Sequence, residues 1–490
     1  MSILCLSPRT YTPNAFISKW KTDNAGTSTS TRITIPTTPG GRYNCQVDWG
    51  DGTISNITTY NDPAWTHTYS VASVYTIKIL GVFEGIQFNN TGDKLKLLNI
   101  AQWGTKFRLG TNETGYFSGC SNLTITATDV LDLSRTTTLA QAFTNCSSIT
   151  TIPNINSWNV SAITSMANMF SGTSFNQSLD RWNVSACTTF SSMFSGNTAF
   201  NSSVDGWTFS SSVTSYNNMF NGATAYNQSM NNWVLPTTGS GYLMNSMFQG
   251  AAAFNGHIAS WNTSKCTSMA SMFRSCPFDQ DISAWNTSAV ATFSFMFANN
   301  TAFNRNIDAW NVSAATNFAS MFSGAASYNK SMNSWNLPTT GSGYSMSAMF
   351  DAATAFNGDI SSWNTIKCTN MSSMFSNSSF NRNIGAWNVT SVTNMSAMFS
   401  GNNGFSQNIG AWIPSALTSA SNMFLNNTSL GKANYNALLA GWGVSTTASS
   451  VPFHGGNNTY DATTGGNNGI AGKLYLTETK LWPIIDGGVS

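Results

Sequence analysis

The sequence predicts an α/β solenoid in which each repeat of about 25 residues supplies a short strand and a helical turn, preceded by a small all-β domain. Trp recurs eleven times at intervals of 24 to 28 residues, and a Met-Phe dipeptide follows each of these tryptophans. Before residue 88 this period is absent, and short runs alternate as strands do. We therefore divide the chain into residues 1–88, irregular N-terminal repeats 89–150, regular repeats 151–430 and a capping segment 431–490.

The apolar positions within one repeat predict its backbone. Ile307, Trp310 and Val312 have the L-x-x-L-x-L spacing of a leucine-rich-repeat strand. Phe318 and the pair that begins at Met321 lie three and four residues apart, which suits one face of a short helix. We expect parallel pairing of the strands that contain the tryptophans, with the Met-Phe pairs in the core, because a solenoid buries its interior between neighbouring repeats.

Asparagine occupies two repeated positions. One set follows the aromatic residue that ends each repeat, and we expect it to form an internal ladder that satisfies backbone groups. It comprises Asn176, Asn201, Asn227, Asn255, Asn304, Asn329, Asn357 and Asn381. The second set follows the Trp and should alternate outward toward solvent. From this set Asn183, Asn286, Asn311 and Asn388 are candidate partner-binding residues.

The segment LPTTGSGY interrupts the array twice, at 235–242 and at 337–344, which indicates that a block of four repeats was duplicated. Insertions of this kind usually emerge on one face of a solenoid. Neither copy contains His or a carboxylate. We expect both loops to contact a partner, with Tyr242 and Tyr344 at their tips.

Composition excludes several classes of function. Only 8% of the residues are charged and the net charge is +2, which gives no electrostatic basis for binding nucleic acid. No apolar run reaches the roughly 18 residues that span a bilayer, and MSILCLSPRTYTP lacks the basic region of a signal peptide.

The three histidines are scattered, and neither HExxH nor GxSxG occurs. We expect no catalytic residue, metal site or cofactor. A glycosidase-like pair among Asp180, Asp205, Asp308 and Asp359 is less favoured than periodic surface charge.

The cysteines do not indicate a disulfide framework. Cys187, Cys266 and Cys368 occupy the position five residues after a Trp, where other repeats have Ile, Val, Ala or Leu. Cysteine therefore replaces a small buried hydrophobic residue there. The state of Cys5, Cys45, Cys120 and Cys146 is left open.

Two resemblances are carried by motifs. VDWGDGT, HTY and YTIKI in the first 88 residues resemble a PKD-type immunoglobulin-like sandwich, in which Asp48 and Asp51 are more often turn residues than calcium ligands. The repeat WNVSxVTxMxxMFxGxxxFNxxI resembles the BspA-like leucine-rich-repeat surface proteins, including the mycoplasma-type DUF285 unit, over roughly residues 89–490.

The second resemblance implies a non-enzymatic adhesion or structural protein. Because the sequence shows neither a signal peptide nor an anchor, we expect a virion component, such as a phage or algal-virus fibre, spike or capsid decoration that attaches to a host surface. A bacterial cell-surface adhesin is the alternative, and a glycan-active enzyme is the least favoured. The expected partners are other virion or surface proteins and host-surface glycans, in a homo-oligomer or larger assembly without membrane insertion.

Overall fold

A computed structural model describes residues 14–427, 429–461 and 469–489 of the chain. They belong to two compact units. One unit comprises the chain up to Val213 together with Gly222–Tyr226, and the other comprises Thr214–Asn221 together with the chain from Asn227 onward. In the described part of the chain, no helix has the length and apolar character needed to cross a membrane.

A seven-stranded sheet forms the N-terminal part of the first unit. Its strands are β1 Phe16–Lys21, β3 Thr37–Asp48, β4 Ile54–Ile57, β6 Val74–Ile86, β7 Leu97–Gln102, β8 Phe107–Arg108 and β9 Thr124–Ile125. A separate two-stranded sheet consists of β2 Arg32–Thr34 and β5 Thr66–Thr68, and a 3₁₀ turn, Pro63–Trp65, precedes β5. The order is β4-β3-β6-β1-β7-β9, and β8 pairs with β6. The strands predicted before residue 88 are present, and the large sheet also takes β7, β8 and β9 from the irregular repeats.

A buried ion pair ties the first strands to the segment that follows them. Lys96 Nζ donates hydrogen bonds to three backbone carbonyls, those of Ser28, Thr29 and Arg32. The Asp93 carboxylate accepts from backbone N–H groups of the same region and lies 3.8 Å from Lys96 Nζ. Both side chains are fully buried, so each charge depends on these partners to offset its desolvation.

The helical turn predicted for each repeat is wrong, and with it the predicted α/β solenoid. In the described residues the only α-helices are α1 Lys432–Ser445 and α2 Gly469–Leu474, both beyond the regular repeats. The residue before Met of every Met-Phe pair has a φ between 52° and 58°, and the residue three after that Met is also left-handed. A right-handed helix cannot pass through left-handed residues. Each predicted helix is instead a succession of hydrogen-bonded turns, as in Met321 N–H to the Phe318 carbonyl.

Backbone hydrogen bonds join each turn segment to the next repeat. The N–H groups of Phe318, Ser320, Phe322 and Gly324 donate to carbonyls of the following repeat at 2.7 to 2.9 Å. Because alternate N–H groups point the same way, each repeat donates toward one neighbour and accepts from the other. The polar backbone of the turns is thereby satisfied without helices or long strands.

Parallel β-bridges lie at a different position from the predicted one. They join residues seven or eight after the Trp, or ten after it where an insertion intervenes, as in Ser268 to Thr292 and Thr292 to Asn317, and not the segments that contain the tryptophans. Within the described part of the regular repeats, these bridges extend into strands only near the insertions. The strands are β10 Tyr242–Leu243, β11 Cys266–Ser268, β12 Tyr344–Ser345 and β13 Cys368–Asn370. The Ile carbonyls of the Ile-x-x-Trp segments accept hydrogen bonds from tryptophan side chains and not from a neighbouring strand. Trp310 Nε1, for example, donates to the Ile282 carbonyl of the previous repeat at 3.1 Å.

The core of the repeats consists of aromatic and methionine columns, as predicted. Met321 and Phe322 are completely buried, and their counterparts in the other repeats are equally buried. Phe322 stacks on Phe350 of the next repeat with ring centroids 5.6 Å apart and planes 3° apart. Trp261 and Trp285 stack in the same manner at 6.0 Å. Each buried Phe or Met contributes about 1.5–3 kcal/mol, so the array needs few ion pairs.

All seven cysteines within the described residues are buried and free. This confirms the packing role predicted for Cys187, Cys266 and Cys368, where burial raises the thiol pKa to about 12. Cys45, Cys120 and Cys146, left open by the sequence, are therefore free as well, while Cys5 lies outside the described residues.

The second unit ends in a segment that covers the last regular repeat. The remaining elements are α1, β14 Phe453–His454, α2, a π-helical turn Tyr475–Thr479 and β15 Ile484–Ile485, while a 3₁₀ turn Ile155–Ser157 lies earlier in the repeats. Trp442 Nε1 of α1 donates to the Ile409 carbonyl, which repeats the Trp bond of the array. A buried Asp486 carboxylate binds Lys473 Nζ at 2.8 Å and holds the covering segment together.

Candidate functional site

The two loop tyrosines are not at the tips of the insertions, which corrects the prediction. Tyr242 and Tyr344 are 1% and 2% exposed, and each begins a short strand that pairs with the next repeat. Their hydroxyls donate to the carbonyls of Asn262 and Asn364 at 2.9 and 3.2 Å. Burial raises the pKa of both phenols well above the usual value. A side chain so enclosed anchors its loop and cannot contact a partner.

The exposed part of each insertion is the Thr-Thr-Gly-Ser segment before the tyrosine, at residues 237–240 and 339–342. Gly341 and Gly343 have φ values of 85° and 100°, a conformation that glycine adopts without strain. A Cβ on Gly343 would lie 2.8 Å from the Lys367 carbonyl, so the loop runs close against the following repeat. The insertion therefore presents its hydroxyls from a tightly held base.

A groove of about 510 Å³ lies beside the second insertion. Its lining is Ser313, Trp335, Asn336, Leu337, Pro338, Thr339, Thr340, Ser362 and Asn364, none of which is charged. In the described part of the chain, no protein group hydrogen-bonds the side chains of Asn336, Thr339 and Thr340. The groove therefore offers amide and hydroxyl groups that a ligand can engage.

The asparagines that follow the tryptophans are exposed, and the structure places Asn183, Asn286, Asn311 and Asn388 among them. Each forms a local turn in which its Oδ1 accepts the backbone N–H two residues later. The four side chains lie in separate repeats. The structure does not bring them into the groove, although Asn336 and Asn364 of the same set line it.

The other asparagine set forms the predicted ladder. Asn329 N–H donates to Asn304 Oδ1 at 3.1 Å, and Asn357 N–H donates to Asn329 Oδ1 at 2.8 Å. The same bond joins Asn176 to Asn201 in the first unit. These amides satisfy backbone groups at a corner without strand pairing, which confirms the predicted ladder, while most of its asparagines are exposed at the surface.

The carboxylates near the N-terminal GDG turn are engaged within the protein. Asp48 accepts the N–H of Gly50, and Asp51 accepts from Thr53 and lies 2.7 Å from His67 Nε2. Burial raises the pKa of Asp51, but its hydrogen bonds from Thr53 and His67 outweigh burial and hold it at about 2. Across the residues that the structure describes, no group of three or more His, Cys, Asp or Glu side chains could hold a metal ion.

Carboxylates of the array follow the same pattern. Asp308 accepts from the N–H and hydroxyl of Ser334 at 2.8 Å, and Asp180 accepts from the hydroxyls of Ser178 and Ser203. These bonds lie within a repeat or join it to the next one. These aspartates therefore recur at similar positions because their carboxylates join neighbouring repeats.

Comparison with known families identifies the repeats. The family described as "Mycoplasma protein of unknown function, DUF285" matches residues 111–233, 242–343 and 344–453. Together these matches cover more than half of the chain. The chain belongs to this DUF285 family. The second and third matched segments begin at Tyr242 and Tyr344, the residues that end the two insertions. No curated protein and no solved structure matches the chain.

Sequence reasoning missed the groove because its residues belong to three successive repeats. The repeated Asn after Trp and the repeated insertion were both visible in the sequence. One difference in the sequence could have distinguished the two insertions. The residue between the Trp and the insertion is Val234 in the first copy and Asn336 in the second.

Proposed function

We propose that this DUF285 chain is a non-enzymatic attachment protein that binds a neutral, hydroxyl-rich ligand, best satisfied by a saccharide, in the groove beside the second insertion. The observation that carries the proposal is the uncharged lining of this groove, in which Asn336, Thr339 and Thr340 have no protein partner among the described residues. A neutral ligand with many hydroxyls matches such groups because each of them can donate and accept.

The size of the groove supports a small ligand segment. Binding sites for small molecules usually enclose about 300–1,000 Å³, and this groove falls within that range. Pro338, which is partly exposed, adds an apolar wall for the C–H face of a sugar ring. An anionic glycan would find no cation in the lining to offset its charge.

The walls of the groove are fixed before any ligand binds. Trp335 Nε1 donates to the Ile307 carbonyl at 2.9 Å, and Ser362 N–H donates to Asn333 Oδ1 at 2.8 Å. The Tyr344 hydroxyl donates to the Asn364 carbonyl and so holds the C-terminal end of the insertion in place. A preformed groove loses little conformational entropy on binding, which favours even a ligand held by a few neutral hydrogen bonds.

A glycan array probed with the full chain tests the proposal, with release of reducing ends measured on the same glycans. We expect binding to neutral glycans that persists at high salt, because no ion pair contributes, and no release of product. Binding restricted to acidic glycans, or no binding at all, would refute the groove proposal. Measured turnover would instead support the glycan-active alternative.

Placement of the protein on a virion, or on a bacterial surface, stays a prediction of the sequence. Antibodies against the exposed loop at residues 339–342, used to label purified particles and intact cells, distinguish the two.

We also propose a PKD-like domain at the N-terminus. It is supported by the antiparallel pairing of β3 with β4 and β6 and by the stacking of Trp49 on His67 at 4.9 Å. An experimental structure of the full chain whose N-terminal topology differs from a PKD sandwich would remove this assignment.

A further inference from the structure

Four of the asparagines that follow a Trp share a second hydrogen bond. In each, a Ser or Thr two residues later donates its hydroxyl to the Asn Oδ1. The pairs are Ser161 to Asn159, Ser185 to Asn183 and Ser288 to Asn286, each at 2.7 Å, and Thr390 to Asn388 at 2.6 Å. Each pair is an Asn-x-Ser/Thr sequence, the acceptor motif for glycosylation of asparagine.

The amide nitrogens of these four asparagines face solvent. All four residues are exposed, and within the described part of the chain no acceptor contacts their Nδ2 atoms. The oxygen of each amide is held by its own turn, so the nitrogen is fixed in an outward position. Rotation of the amide, which would exchange the two atoms, would break both hydrogen bonds to Oδ1.

Asn262 and Asn311 also follow a Trp and have Ser264 and Ser313 two residues later, but only the backbone N–H of that serine bonds their Oδ1, so they lack the second hydrogen bond. Two further Asn-x-Ser sequences have a role within the ladder. Asn176 and Asn329 belong to the ladder, and the Oδ1 of each accepts a hydrogen bond from a backbone N–H of the next repeat. In these copies the hydroxyl two residues later does not bond the Asn Oδ1: Ser178 donates to Asp180, and Ser331 accepts from the Asp359 N–H. The structure thus separates two classes of the same motif.

We propose that Asn159, Asn183, Asn286 and Asn388 are glycosylation sites, whereas the ladder asparagines are not modified in the folded protein. The donor is a sugar whose anomeric carbon is linked to a diphosphate, itself carried on a lipid or a nucleotide. The Asn Nδ2 bonds to the anomeric carbon, the bond from that carbon to the phosphate oxygen breaks, and the diphosphate leaves with the electron pair. The proton lost from Nδ2 passes to a base of the transferase.

The same set of asparagines contains natural controls. Asn336 and Asn364 follow a Trp but have Pro338 and Ile366 two residues later, so neither has the hydroxyl. Both line the groove. Under this proposal the two asparagines that line the groove stay unmodified.

Peptide mapping by mass spectrometry of the protein isolated from its natural source tests the proposal. We expect a sugar mass on the four asparagines and none on Asn176, Asn329, Asn336 or Asn364. Unmodified peptides at all four sites, or equal occupancy on the ladder asparagines, would overturn it.

Variants of the full chain give a second test in vitro. The folded protein is offered to a transferase that uses lipid-linked sugar and, in parallel, to one that uses nucleotide-linked sugar, which identifies the donor class. Ser185→Ala should abolish modification at Asn183 and Ser185→Thr should retain it, while Ile366→Thr should create a new site at Asn364. Because these side chains are exposed, the fold is retained. Three results would contradict the assignment. They are modification of Asn183 in Ser185→Ala, no modification of Asn364 in Ile366→Thr, and no modification of the folded wild type with either donor.

Discussion

Replacing Ala397 by glycine should stabilise the protein, contrary to the usual effect of Ala→Gly. Ala397 precedes the Met of a Met-Phe pair and has a φ of 56°. A left-handed conformation costs a residue with a Cβ about 1–2 kcal/mol, a cost that glycine does not bear. Glycine also adds about 0.4–1 kcal/mol of conformational entropy to the unfolded chain. The difference predicts a net stabilisation of about 0.5–1 kcal/mol.

Urea unfolding followed by tryptophan fluorescence measures this effect as a shift of the transition midpoint. Ala348→Gly, at a φ of 52°, should behave in the same way. The matched control is Ala319→Gly, because Ala319 is a turn alanine outside the left-handed set, and this change should cost about 0.4–1 kcal/mol. If Ala397→Gly lowers the midpoint as the control does, the left-handed backbone assigned to Ala397 is contradicted.

Three further predictions concern the ladder, the cysteines and the N-terminal turn. Asn329→Ala should cost about 1 kcal/mol by chemical denaturation, since the next ladder N–H loses its acceptor at 2.8 Å, and Asn311→Ala, which breaks only a local turn, should cost less. Cys266→Val should cost under about 1.5 kcal/mol, and burial, which raises the pKa of the thiol to about 12, should prevent its labelling by thiol reagents until the protein unfolds. The pKa of Asp51 lies at about 2 against 3.8 in the unfolded chain, because its hydrogen bonds from Thr53 and His67 outweigh burial, so the stabilisation from these bonds is present above about pH 4 and is lost as the pH falls toward 2. Asp51→Asn should therefore flatten the fall of the unfolding midpoint in that window, and an unchanged acid profile would contradict the assignment.

The sequence predicted the period, the buried columns and the ladder because each depends on side chains that recur at a fixed position. Buried Phe322 and the ladder amide of Asn329 are examples in which residue type and spacing determine the role. The sequence could not predict the turns. Apolar spacings of three and four residues fit a helix and two successive turns equally well, so Phe318, Met321 and Phe322 did not distinguish them.

The left-handed residue before each Met was not visible because no repeat has glycine at that position. The position before Met is Ser320 in one repeat, Ala397 in another and even Phe295 in a third, with a φ of 57°. Hydrogen bonds to the next repeat fix this conformation, and tertiary context of this kind overrides local preference. The tyrosines were misplaced for a related reason, since Tyr344 ends a polar loop in sequence but begins a buried strand in the structure.

Calorimetric titration of wild type and Asn336→Val with the strongest neutral glycan from the array tests the account most directly. Asn336→Val installs the residue that the first insertion carries at the equivalent position, Val234, and Thr237→Ala in the first insertion is the matched control. We expect Asn336→Val to weaken binding about three- to tenfold, which corresponds to one lost neutral hydrogen bond, and Thr237→Ala to leave the affinity unchanged. Equal affinity of wild type and Asn336→Val, or loss of binding in Thr237→Ala alone, would contradict the assignment of this groove as the binding site.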